Sequence, residues 1–398
     1  MDNNNLYSIF YMYKKHQQLF LSDAEIAYIQ YRDFRIDLLT GIKLDFDLES
    51  FIVDIEKVKI SNSFEEPIVF HLFYELGYKF INRLDLINQD VPLAIFIKYK
   101  KAEIQNIYNN LDKIELSLQS LNRFKFSEYK KKFNSIYDHL KKGNCYQANL
   151  THKFVMRNVE QLNPASIQSC IFSNPLNIGA YSHSTYIHSL GKYFVSNSPE
   201  CLFQIFEKDN NIKIRTMPIK GTMKSSIGLD SEKSWDKLSA SSKDEAELFM
   251  ITDLMKNDLT KINLRPSKVL KKKARLNAPG IVHQFSLIES TLYKDANLLQ
   301  VLSSIFPGGS ITGAPKKMAV ELLNDLEQGP RGFYCGSTLL LYKKIKTASI
   351  NIRSAEVDYS NNEISYGAGG GITLNSNVQS EFDEVLLKLK SFLLLLNN

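Results

Sequence analysis

Cysteine is sparse and scattered. Cys145, Cys170, Cys201 and Cys335 show neither a CxxC pair nor Cys/His spacing, which argues against structural zinc and a disulfide framework and predicts buried thiols in a reducing cytoplasm. Long apolar runs are missing too: a stretch such as Phe392–Leu396 is far too short to cross a bilayer. The first thirty residues mix Tyr, Phe, Lys and His with no apolar h-region, so no signal peptide is expected. No internal repeat or low-complexity linker is present. Charge of one sign is only mildly in excess, +6 over 398 residues, which suits small anionic substrates as well as nucleic acid. The run Lys271-Lys272-Lys273 with Arg275 lacks interleaved aromatics and reads as a solvated face, not a nucleic-acid site. What is plentiful is apolar side chain, 44% of residues, enough for a large core.

The apolar stretches Pro67–Phe73 and Pro92–Ile97 read as buried strands. Phe126, Tyr129, Phe133, Ile136 and Leu140 recur at steps of three and four, which predicts a helix with Ser127 as a cap and Gly143 and Asn144 as its stop. Tyr146–Met156 then alternates like a strand. One boundary is expected near residue 115, dividing a segment 1–115 from a region 116–398. Further on, a helix is predicted over Lys243–Leu259, strands around Ala348–Val357 and Glu363–Tyr366, and a helix from about Ser376. The mixture indicates an α/β or α+β protein.

Asp244 and Glu247 are three residues apart, as are Glu381 and Glu384, so each pair projects from one helical face. Facing each other, the pairs would make an oxygen-rich site for magnesium; unpaired, they are solvated helix faces. Gly367-Ala368-Gly369-Gly370-Gly371 could bring backbone N–H groups to an anion as a nest or at a helix start, or mark a plain turn. In Phe306–Lys316, Ala314-Pro315 stands where a phosphate loop needs Lys followed by Ser or Thr, so that reading fails. Lys220, between Pro218 and Gly221, is either a nucleophile held with little backbone around it or a surface lysine in a turn. Glu200 follows a strand, and His283 sits among apolar residues as a core histidine would.

The order of these signals carries more than any one of them. The succession Tyr146-Gln147-Ala148-Asn149-Leu150, Ser198-Pro199-Glu200, Pro218-Ile219-Lys220-Gly221-Thr222, Ala246-Glu247 through Asn257-Asp258-Leu259, Phe306-Pro307-Gly308-Gly309-Ser310, Thr312-Gly313-Ala314-Pro315-Lys316 and Gly369-Gly370-Gly371-Ile372 resembles the chorismate-binding family. That family comprises anthranilate synthase component I, aminodeoxychorismate synthase component I, and isochorismate and salicylate synthases. The resemblance covers roughly residues 120–390, and residues 1–115 look like a shortened N-terminal half of the same fold. It implies an anthranilate synthase-like sandwich of two large antiparallel β-sheets with helices packed outside.

The resemblance also assigns roles. Glu247 and Glu384 match magnesium glutamates, with Asp244 and Glu381 as helpers. Gly369, Gly370 and Gly371, with Arg353 and Tyr334, match groups that hold the chorismate carboxylates. Gly221, Thr222 and Lys388 match further substrate contacts, and His283 and Thr312 line the ring pocket. Glu200 matches the general acid. Water-using members carry a lysine base where this chain has Gln147, and anthranilate synthases carry alanine where it has Lys220. Both positions imply the aminodeoxychorismate branch, in which Lys220 bonds covalently to the substrate and ammonia displaces it, on the way to 4-aminobenzoate and folate. Lys256, Met217, Cys201, Thr260-Lys261 and Leu339-Leu340 depart from the family's usual residues without removing a group the chemistry needs. No nucleophile elbow surrounds any cysteine, so a separate glutamine amidotransferase is the expected ammonia source. The tryptophan-sensing motif of anthranilate synthases is not evident.

Overall fold

The computed structural model describes residues 5–12, 17–107, 116–172, 178–224, 229–278, 281–327 and 329–396. The expected boundary near residue 115 lies outside them. All strand pairings among the described residues are antiparallel, and they join into one continuous ladder. In spatial order it runs 263–278, 281–292, 211–217 continued by 219–224, 201–208, 345–350, 337–343, 64–72 and 94–106. It continues through 17–30, 6–12, 183–187, 192–196, 354–358, 363–372 and 147–158. The two expected sheets are therefore halves of one hydrogen-bonded system. Strands from the first 107 residues occupy its middle, paired with later strands at both flanks.

Three apolar layers follow from the alternation of the strands. The inner one packs Leu6, Leu21, Ile29, Val69, Ile97, Phe194 and Leu340 between the two halves of the ladder. One outer layer seats Phe51, Ile251, Met255, Val301 and Ile305 against the strands carrying Phe203, Ile288 and Leu339. The other seats Phe133, Ile136, Leu323, Val385 and Phe392 against Leu150, Phe154, Ile364 and Ala368. Helices thus cover both outer faces, because each presents one apolar stripe.

Local signals locate most elements well. The predicted strands appear at Phe64–Leu72 and Ala94–Asn106, and the first predicted helix at Phe126–Lys141. Its cap position is held by Lys125 without a side-chain bond, so Ser127 lies inside the first turn instead. The helix Ser242–Thr260 is capped by Ser241, whose hydroxyl accepts the Asp244 N–H, and the C-terminal helix spans Val378–Leu396. The region expected as one strand over 348–357 is two, Ile345–Ile350 and Ser354–Asp358, broken at Arg353, whose φ is +53°. Cys145, Cys201 and Cys335 are buried, Cys170 is half-buried, and all four are free. Among the described residues no helix is long and apolar enough to cross a membrane.

Candidate active site

The glycine run forms no nest. Gly367–Gly371 continue the strand Glu363–Ile372, in register with Lys153 through Asn149. The neighbouring strand Ser354–Asp358 stops pairing at Tyr366, so one edge of the glycine segment faces away from any strand. The glycines are needed because functional side chains crowd this segment. A Cβ on Gly371 would stand 2.7 Å from Gln147 Nε2 and 3.3 Å from Lys220 Nζ, and one on Gly370 would stand 3.1 Å from Glu381 Oε2 and 3.9 Å from Glu384 Oε1. The bare strand is the floor of a site onto which these groups converge.

Lys220 arrives on the strand Ile219–Lys224, which bulges between Lys220 and Thr222. Gly221 takes φ +76° in that bulge, and a side chain there would press on Leu238 and Asp244, so the turn that aims Lys220 requires glycine. The Thr222 backbone pairs with His283, and its side chain lies outside the described residues. Glu200 is buried at 4% exposure. Burial pushes its carboxyl up to about 7, a rise tempered by the Ser310 hydroxyl and by Lys220. A carboxylic acid that keeps its proton near neutrality, beside a lysine, is suited to proton donation.

The magnesium candidates sit on two helices that meet over the glycine floor. Lys243 Nζ is 3.3 Å from Glu381 and 4.0 Å from Glu247. Lys388 Nζ is 2.7 Å from Glu384 and donates to the Gly369 carbonyl at 2.6 Å. Ser376 donates to Glu381 at 2.7 Å. Burial, followed by Glu381 and Asp244, raises the Glu247 carboxyl against the pull of Lys220 and Lys243. Burial also pushes Glu384 up, but Lys388, Lys220 and Lys243 outweigh it and hold that carboxyl below its ordinary value. Among the described residues no three Asp, Glu, His or Cys side chains stand together as a finished cation cage. The donor set nonetheless fits a hard cation, since it consists of carboxylates from two helices beside a glycine that leaves room.

Three further groups define what else the site would hold. The Arg353 side chain is densely walled, and burial lowers its pKa, yet it is open to solvent and makes no ion pair or hydrogen bond with any described residue. A cation reachable in a cleft without a protein partner suits an anionic ligand. Gln147 is fully buried, and neither polar atom of its carboxamide finds a partner among the described residues. Such a group normally has one, and this one borders Lys220 across Gly371. Burial, then Arg353, lowers His283 to about 4, so its ring is neutral near pH 7.

Two expected contacts are already engaged within the protein. Thr312 donates its hydroxyl to the Gly308 carbonyl at 3.0 Å, and Lys388 is paired as described above. Tyr334 packs its ring against Gly367, where a Cβ would come within 2.2 Å. A separate apolar groove lined by Tyr28, Phe51, Phe70 and Phe96 includes none of these residues.

Sequence reading missed the buried hub behind the floor. Arg331 donates to the carbonyls of Ile311 at 2.8 Å and Asn149 at 2.7 Å, and to Glu327 at 2.7 and 2.8 Å. Glu327 also accepts the Thr151 N–H and hydroxyl. Arg331 thus ties the strand opposite the glycines to the segment carrying Ser310 and Thr312. The only sequence signal was an arginine next to glycine just before Tyr334.

Residues 79–394 match the family of chorismate binding enzymes. The chain belongs to that family. Relatives include aminodeoxychorismate synthase component 1 of Salmonella typhimurium, 33% identical over 68% of this chain and 58% of its own length. Anthranilate synthase component 1 of Saccharolobus solfataricus is 27% identical over 92% of this chain and 86% of its own. The chain thus spans a little over half of the first of these proteins. The solved anthranilate synthase component I from Streptococcus pneumoniae superposes with a TM-score of 0.76 at 19% identity, covering 95% of this chain and 92% of that one. It shares the fold described above.

Proposed function

We propose that this chorismate-binding chain is the aminating component of a 4-amino-4-deoxychorismate synthase, supplying the precursor of 4-aminobenzoate for folate. The observation that carries this reading is Lys220, aimed over the Gly371 floor with the protonated Glu200 in its field and Gln147 beside it. Lys220 Nζ bonds to C2 of chorismate, both ring double bonds shift by one position, and the C4–O bond breaks, the hydroxyl leaving as water with the Glu200 proton. Ammonia then bonds to C4, both double bonds shift back, and the C2–Nζ bond breaks, returning free lysine. Dividing one hard substitution into two easier ones is the gain from a covalent intermediate. Arg353 supplies positive charge for a substrate carboxylate. Gln147 offers a neutral amide where a base would be needed to activate water, which favours ammonia as nucleophile. Ammonia would come from a separate glutaminase subunit, in keeping with the "component 1" in the relatives' names.

Glu247 and Glu384, helped by Asp244 and Glu381, would hold magnesium. When bound, the ion supplies Lewis-acid attraction for a ring carboxylate. Glu247→Ala and Glu384→Ala are each expected to lose most magnesium-dependent turnover while keeping the native circular dichroism spectrum. Full activity of both variants in saturating magnesium would place the cation elsewhere.

Product analysis tests the reaction itself. Chorismate, magnesium and ammonium should give 4-amino-4-deoxychorismate, and chorismate without ammonia should leave an adduct on the peptide containing Lys220, detectable by mass spectrometry. Anthranilate as main product would instead favour the second reading, anthranilate synthase, which the 92% coverage by the Saccharolobus protein keeps in view. An adduct on a different lysine would reject the role given to Lys220.

A further inference from the structure

The ammonium of Lys243 occupies an unusual position. It reaches across from the helix Ser242–Thr260 to Glu381 on the helix Val378–Leu396, 3.3 Å away, and lies 4.0 Å from Glu247 on its own helix. Glu381 is almost fully buried, with 4% side-chain exposure, and Glu247 has 14%. Glu381 has no other ion pair among the described residues, while Glu247 also feels Lys220. Lys243 also sits in the first turn of its helix, where the N-terminal dipole disfavours positive charge. A lysine at that point needs a compensating interaction, and the carboxylates provide it. The same ammonium is the group that stands between Glu247 and Glu381, two of the four oxygen donors assigned to the cation.

We propose that Lys243 is an internal competitor for the divalent cation, holding Glu247 and Glu381 through its ammonium and yielding them when metal binds. A buried pair of like charges repels itself unless a cation lies between. Lys243 therefore keeps the two helices together and the carboxylates near each other. Metal entry exchanges one cation for another, so the site need not assemble from repelled parts. The cost is affinity, because the metal must displace an existing ion pair. Lys243 is a positioning residue in this scheme, since it acts on the carboxylates and not on substrate. The inference rests on the reading of the four carboxylates as the cation site.

Lys243→Met, which keeps the stem and removes the charge, separates the possibilities when manganese binding to the full chain is measured by calorimetry and by the Mn2+ EPR signal. The variant is expected to bind Mn2+ about tenfold more tightly, equivalent to about 1.4 kcal/mol, and Lys243→Arg to stay near the native affinity. In chelator the methionine variant should melt below the native protein, and added Mg2+ should restore it. Unchanged or weaker Mn2+ affinity in Lys243→Met, with native binding intact and lost in Glu247→Gln, would overturn the competitor role alone. Native Mn2+ binding that survives Glu247→Gln would instead reject the carboxylate site on which the inference stands.

Discussion

Glu200→Gln is expected to lower kcat/KM for amination about 10²–10⁴-fold, the usual range for a lost general acid. Glutamine keeps the size and polarity of the side chain but has no proton to give to the departing C4 hydroxyl. The native enzyme should show the matching pH signature. Burial holds the Glu200 carboxyl up to about 7, so the acid is protonated and competent below that value and is lost as pH rises through it. With free ammonia held constant, kcat/KM for chorismate should therefore fall on the alkaline side of about 7, and Glu200→Gln should lose that limb along with most of its rate. A native profile that is flat from pH 6 to 8, or near-native rates in the variant, would remove Glu200 from the role of acid.

Arg331→Met is expected to destabilise the fold by about 3–5 kcal/mol, as removal of one partner from a buried ion pair does. The side chains of Arg331 and Glu327 are 3% and 9% exposed, so solvent cannot take over the lost partner. The substitution also strips donors from the carbonyls of Ile311 and Asn149, each of which would be buried and under-satisfied. Asn149 lies opposite Gly371 in the ladder, so damage should reach the floor of the site. Urea unfolding measures the loss through the shift in midpoint at unchanged slope. A loss below about 1 kcal/mol, the size of an exposed pair, would mean that the hub contributes no more than a surface contact.

Legibility differed from element to element for physical reasons. The helix Ser242–Thr260 was readable, as Lys243–Leu259, because its apolar stripe is local. Ser127 misled because a serine near a helix start is an equally good candidate at several positions, and only backbone geometry placed the cap position at Lys125. The glycine run was readable as a place of close approach but not as a strand, since glycine disfavours strands by propensity and ladder pairing with Asn149–Lys153 overrides it. The pairing of Glu247 with Glu384 across two helices came from family resemblance, which gave Lys388 only as a substrate contact, and the engagement of these carboxylates by Lys243 and Lys388 came from neither spacing nor resemblance.

The order and identity of short motifs was enough, by itself, to place the chain in the chorismate-binding family. That membership resides in residue types at short spacings, which local sequence carries. Tertiary structure alone decided that Lys220, Gln147 and Glu381 share one glycine floor, and that Lys243 joins Glu381 from 138 positions away. It also decided that Arg331 braces Asn149 across 182 positions. The contacts made from strands depend on the register of an antiparallel ladder in which a shift of one residue turns every side chain to the opposite face. Register is set by the packing of all three core layers at once, so no local stretch of sequence encodes it.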